Sequence, residues 1–246
     1  MVGFSKTLLA LLLFMATAAE VPDPPLSEAR LTISTLVRED IFAGLLENDM
    51  QRLARAERNI QLLLQQRPEA KASLLTWRAS TILFRAVRAY ESSQAAQYRE
   101  QHQRSLALFE EARSLASENI AVAAVTGGSF VLLADRLAKE HQADAWSKAY
   151  NAYQALWKMQ APAVDKLPLH IRGELLAGLA QSAQRTGRAQ EAKEFLDKIQ
   201  TLLPDTPYAN VAQQWNETPE SAATSSIACR TCHEPGRLAA RLAALK

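Results

Sequence analysis

Cysteine is almost missing from this 246-residue chain: Cys229 and Cys232 are the only two, too few for a disulfide scaffold. Glycine (8) and proline (10) are also scarce, which excludes a loop-dominated or fibrous chain. Neither sign of charge prevails, with 28 Lys and Arg against 26 Asp and Glu and a formal charge of +2. A chain so balanced has no broad cationic face for phosphate backbones, which excludes nucleic acid as its main partner. β-branched residues are sparse, so strand signals are lacking too. There is no nucleophile elbow, phosphate loop, metal-ligand helix motif or paired carboxylate in a recognisable setting, and no enzymatic activity is expected.

What is present is an apolar fraction of 48%, ample for a sizeable core and incompatible with disorder along the whole chain. The first residues read as an address. Lys6 precedes the apolar run Leu8–Ala16, and the small residues Thr17, Ala18 and Ala19 follow. A cationic start, a short apolar stretch and an Ala-rich end make a secretory signal over 1–19, cleaved after Ala18 or Ala19. The run is about half the ~20 residues that a membrane-spanning helix needs, so no stable span is expected once it is removed. The expected protein is exported, to the periplasm or an equivalent space. Residues 20–26 are Pro-rich and read as an extended lead-in.

From Ser27 to Trp215 the apolar spacing is helical almost without relief, and Ala, Leu, Gln, Glu and Arg dominate. Breaks at Asn48-Asp49, Pro68, Ser92-Ser93, Ser117–Asn119, His141–Asp144, Ala161-Pro162 and Thr186-Gly187 separate about eight helices. Each is short enough to be one arm of a hairpin. The fold class expected is therefore all-α, an array of helical hairpins over 27–215. Trp77, Phe84, Phe109, Trp146, Tyr150, Tyr153 and Trp157 belong to its core, and Gly127-Gly128 marks close packing or a kink. The final pair is the clearest: Gly178, Ala189 and Ala192 allow close helix approach, a turn at Thr186-Gly187-Arg188 joins the arms, and Pro204 stops the second.

This last unit resembles the tetratricopeptide repeat, a helix-turn-helix of ~34 residues with small packing residues and a closing Pro. Residues 189–215 resemble the closing repeat and capping helix of bacterial periplasmic tetratricopeptide proteins. The central units are longer and lack most of that signature. What the resemblance implies is a solenoid whose surface docks another protein, as a scaffold with no redox role or as the body of something else.

After Trp215 the composition turns small and polar, and 216–228 reads as a flexible linker. It leads to Cys229-Arg230-Thr231-Cys232-His233 and a short basic-apolar helix ending the tail 229–246. Cys-x-x-Cys-His is the attachment signature of c-type haem. Two thiols at this spacing add across the two vinyl groups of one porphyrin as thioethers, and the adjacent imidazole ligates the iron. One covalent haem c is therefore expected on Cys229 and Cys232, with His233 as its metal ligand. A redox dithiol would sit in a βαβ context, which is missing. Zinc would need a fourth ligand from afar, and a structural disulfide between the two cysteines is the remaining alternative. Export agrees with haem, which is joined to such motifs outside the cytoplasm. The tail looks like a minimal c-type haem tail and departs from a full cytochrome domain in length and in having no Met or His after His233. A sixth ligand must then come from elsewhere, from His102, His141, His170, Met50 or Met159, or be absent. Arg237 and Arg241 share one face of the terminal helix and are placed for the haem propionates, opposite Leu238, Leu242 and Leu245. The expected role is electron transfer, or a redox accessory that docks a partner protein.

Overall fold

The computed structural model describes residues 37–228. The segment read as a signal (1–19), the lead-in (20–26), residues 27–36 and the tail 229–246 lie outside the described residues. Within them the protein is all-α: nine α-helices and no strand. In chain order these are α1 (Glu39–Glu47), α2 (Met50–Gln66), α3 (Lys71–Glu91), α4 (Ala95–Leu115), α5 (Ile120–Leu133), α6 (Lys139–Gln160), α7 (Leu169–Arg185), α8 (Ala189–Leu202) and α9 (Pro207–Glu217). No helix among them is long and apolar enough to cross a membrane.

Local chemistry sets the ends. Asp49 caps α2 by accepting from the amides of Gln51 and Arg52, and Asn119 caps α5 by accepting from Val122. Thr206 caps α9 through the Ala209 amide, with Pro207 at the first helical position. Gly187 ends α7 with φ +76, a left-handed conformation in which a side chain would be strained, and the Arg188 amide then reaches back to the Ala183 carbonyl.

The helices pair as hairpins, α1–α2, α3–α4, α5–α6 and α7–α8, and α9 closes the array against α8. First arms also pack on first arms, α3 on α5 and α5 on α7, while α6 packs on α7. The hairpins therefore stack in one direction, with α1, α3, α5 and α7 forming an inner layer. The α7–α8 arms are 17 and 14 residues long, against 21 and 21 for α3–α4, so the last hairpin is the compact one and the centre is elongated. One continuous core joins all the hairpins, from Val37 to Ala228. Trp77, Phe84, Phe109, Trp146 and Tyr153 are buried in it, whereas Tyr150 and Trp157 are half-buried. Trp157 meets Phe195 edge-on across α6 and α8, and Tyr150 donates to Glu191.

Charge inside the first hairpin is paired. Asp40 is buried, and both its oxygens take the Arg55 guanidinium, at 2.6 and 2.7 Å, with Arg52 adding a third contact at 3.2 Å. This two-pronged geometry ties α1 to α2 and leaves neither carboxylate oxygen without a partner.

Three expectations need correction. The break between α5 and α6 falls at residues 134–138, and His141 lies in the first turn of α6. Gly178 accommodates α6, not α8: a Cβ there would overlap the Tyr153 ring. The stretch 216–228 is no tether. Its first two residues complete α9, Pro219–Ala223 form a 3-10 turn, and Ala222, Ile227 and Ala228 are fully buried.

Candidate functional site

The residues singled out for cofactor chemistry, Cys229, Cys232 and His233, lie outside the described residues, as do Arg237 and Arg241. The structure does show where the chain that carries them departs from the body. Gln181, on α7, is almost wholly buried, and its Oε1 accepts from the Ile227 amide at 3.0 Å, the Ala228 amide at 3.1 Å and the Ser226 hydroxyl at 2.9 Å. One turn further along α7, Arg185 donates to the carbonyls of Ala223 and Ser225 and pairs with Asp135 at 3.4 Å. The Trp215 indole holds the Ser225 hydroxyl at 2.8 Å. The backbone is thereby fixed on α7 up to the residue before Cys229.

Gln181 and Arg185 belong to a stripe that runs along α7 through Gly178, Glu174 and Ile171, spaced by three and four residues. At the other end of that stripe the inner layer opens into a groove of about 190 Å³. Its α7 wall is His170, Ile171, Glu174 and Leu175, and its α5 wall is Ala124, Val125, Gly128 and Leu132. Tyr153 and Leu156 of α6 contribute to its lining, as do Trp77 of α3 and Phe42 of α1. Ser80 and Ser129 join α3 to α5 by a 2.8 Å hydrogen bond within a lining that is mainly apolar but also carries Arg38 of the first turn, Glu174 and His170. The groove exists because Gly127 and Gly178 let α5 and α7 close on the two sides of Tyr153. Its volume is below the ~300 Å³ at which pockets enclose a small molecule. It therefore suits one face or edge of a group held by other means.

Five residues were candidates for a second iron ligand, and the fold sorts them. His102 (α4) is buried in a cluster of three rings, its centroid 5.5 Å from that of Tyr98 and 4.4 Å from that of His141, with Tyr98 and His141 5.8 Å apart. Both histidines stand on second arms, away from the groove. Met50 and Met159 pack against the core and do not line the groove. His170 is exposed, in the first turn of α7 after Pro168, and lines the groove. It stands between Leu169 and Ile171, which are 52% and 43% exposed, two of the few large apolar side chains left outside the core.

The His102–His141 pair has a consequence of its own. Burial, first, and the neighbouring His141, second, hold the His102 imidazolium acid well below its usual value of 6.5, with Asp144 opposing the shift and Lys148 adding to it. The folded state keeps this ring neutral where the unfolded chain protonates it, so the stability it contributes is complete above about pH 6.5 and is lost as pH falls from there through the lowered folded value. Denaturant midpoints at pH 7.5 and 5.5 should therefore differ, and a His102→Gln variant should show a smaller difference. An equal pH dependence in both proteins would contradict it.

A depression of about 710 Å³ between α7, α8 and α9 is mixed in character. Its charges pair locally, Lys193 with Asp197 at 2.8 Å, and Gln213 donates to Glu217.

No family model matches the chain, and neither the curated proteins nor the solved structures contain a match to it.

Proposed function

We propose that this protein is an exported, haem-c-carrying helical-repeat protein that transfers electrons, or acts as a redox accessory, to a partner docked on its repeat surface. One observation supports the reading above the others. The Cys229-Arg230-Thr231-Cys232-His233 motif begins at the first residue beyond an end of chain fixed to α7 by Gln181. A cofactor attached there is delivered to the body at a defined place, which a transferring centre requires and an inert tail does not. A groove lined mainly by apolar side chains, with Arg38, Glu174 and the His170 imidazole also in its lining, lies along the helix that anchors the tail and supports the reading. When bound, the haem supplies a one-electron redox centre. The chain's own residues would hold and orient it, Cys229 and Cys232 by thioethers and His233 at the iron.

Protein made with periplasmic haem-attachment machinery should give a reduced-minus-oxidised absorption spectrum of haem c. A Cys229→Ser, Cys232→Ser double variant should lose that spectrum while keeping its helical circular dichroism. A wild-type protein with no such spectrum would leave the scaffold reading, in which the inner layer docks a partner without redox chemistry.

A further inference from the structure

We propose that the cleft between α2, α3 and α4 is a phosphate site, in which Arg78, Arg85 and Arg104 hold a phosphate dianion, free or as the monoester of a small molecule. None of its residues lines the groove between α5 and α7, so the proposal stands whether or not the chain carries haem.

Three helix faces meet in this cleft of about 280 Å³. Arg78 and Arg85 stand two turns apart on α3, Gln101 and Arg104 stand three residues apart on α4, and Glu57 and Gln61 stand four apart on α2. These spacings put each pair on one side of its helix. The lining therefore carries three guanidinium groups and, among the described residues, a single carboxylate.

That carboxylate is already taken. Glu57 receives the Arg85 guanidinium through two hydrogen bonds, at 2.6 and 2.5 Å, which fixes Arg85 against α2. Two positive charges, on Arg78 and Arg104, are left for the cleft. Arg104 is exposed, but Arg78 is half-buried. Among the described residues every other half-buried arginine holds a carboxylate or a backbone carbonyl. Arg78 has neither. A guanidinium drawn part-way out of water without an acceptor is costly, and an anion in the cleft supplies the acceptor.

The ligand follows from charge, shape and size. Two uncompensated cations match a dianion, and a phosphate monoester carries close to two negative charges at neutral pH. Its oxygens radiate from one centre, so arginines on different helices can share it, each by its planar fork. The volume is near the ~300 Å³ at which small-molecule pockets begin, and the amides of Gln61 and Gln101 suit a polar remainder.

The test is calorimetric titration of the full chain at pH 7.5 and low salt. Inorganic phosphate and glycerol phosphate are the probes, and succinate is the control, a dianion whose charges lie apart. Both phosphates should bind, and more tightly than succinate. Arg78→Gln and Arg104→Gln should each weaken binding about tenfold or more, at unchanged helical circular dichroism. Arg113→Gln removes a charge of α4 that pairs with Glu110 outside the cleft, and should bind like wild type. Tighter binding of glycerol phosphate would assign the monoester, and tighter binding of inorganic phosphate the free ion. No heat with either phosphate, succinate binding as tightly, or wild-type affinity in Arg78→Gln would overturn the proposal.

Discussion

Gly178→Leu should destabilise the protein by about 3 kcal/mol or more, even though Leu is the better helix former. The propensity gain over Gly is ~0.8–1 kcal/mol, and ordinary overpacking costs ~1–3 kcal/mol. Here the cost lies at the top of that range or above it because Tyr153 has nowhere to go. A Cβ at Gly178 would overlap the phenol ring, and on the α5 side a Cβ at Gly127 would already stand 2.8 Å from it. The ring is thus clamped between two helix backbones, and relief requires moving α7 away from α6. Tyr153→Ala should itself cost ~3–5 kcal/mol, because it empties a buried site. The double variant should be more stable than the sum of the singles predicts, since the new Leu side chain occupies part of the space the ring leaves. Urea titrations of the four proteins measure this. Strict additivity would show that the two residues do not oppose each other.

Ending the chain after Trp215 should cost about 4 kcal/mol more than ending it after Ala228. The shorter protein loses the fully buried Ile227, worth ~1.5–3 kcal/mol by its burial. It also leaves the Gln181 side chain without its three donors in the core, a penalty of ~1–3 kcal/mol. Ala222 and Ala228 add a little. A melting temperature several degrees lower in the first truncation than in the second is the expected result. Equal melting temperatures would mean that 216–228 is the tether its composition suggests.

That contrast shows what composition conveys and what it hides. The hairpins are legible because each buries a stripe at helical spacing, and the turns at Asn48-Asp49, Ser92-Ser93 and Thr186-Gly187 use residues that cap helices or adopt positive φ. The break at 134–138 is not legible: Ala134, Leu137 and Ala138 are helix formers and buried, so the chain turns inside apolar sequence. The polar run from His141 to Asp144 looks like a loop and lies within α6, where His141 packs against Tyr98 and His102 and Gln142 caps the carbonyls of Asp135 and Leu137. Residues 216–228 mislead for a different reason. They are held by backbone amides that reach one glutamine, and backbone bonding leaves no pattern in side chains. For the candidate site, the Cys229–His233 spacing is local and readable, and the exposure of His170 follows from its place after Pro168. The groove is not readable, because its walls come from α1, α3, α5, α6 and α7 and exist only once those helices have stacked.

The most direct test of the account is the intact mass of the mature protein, purified after expression with haem-attachment machinery and then fully denatured. The account predicts the polypeptide mass plus one haem, lost when Cys229 and Cys232 are both replaced by Ser. A denatured mass equal to the bare polypeptide would contradict it.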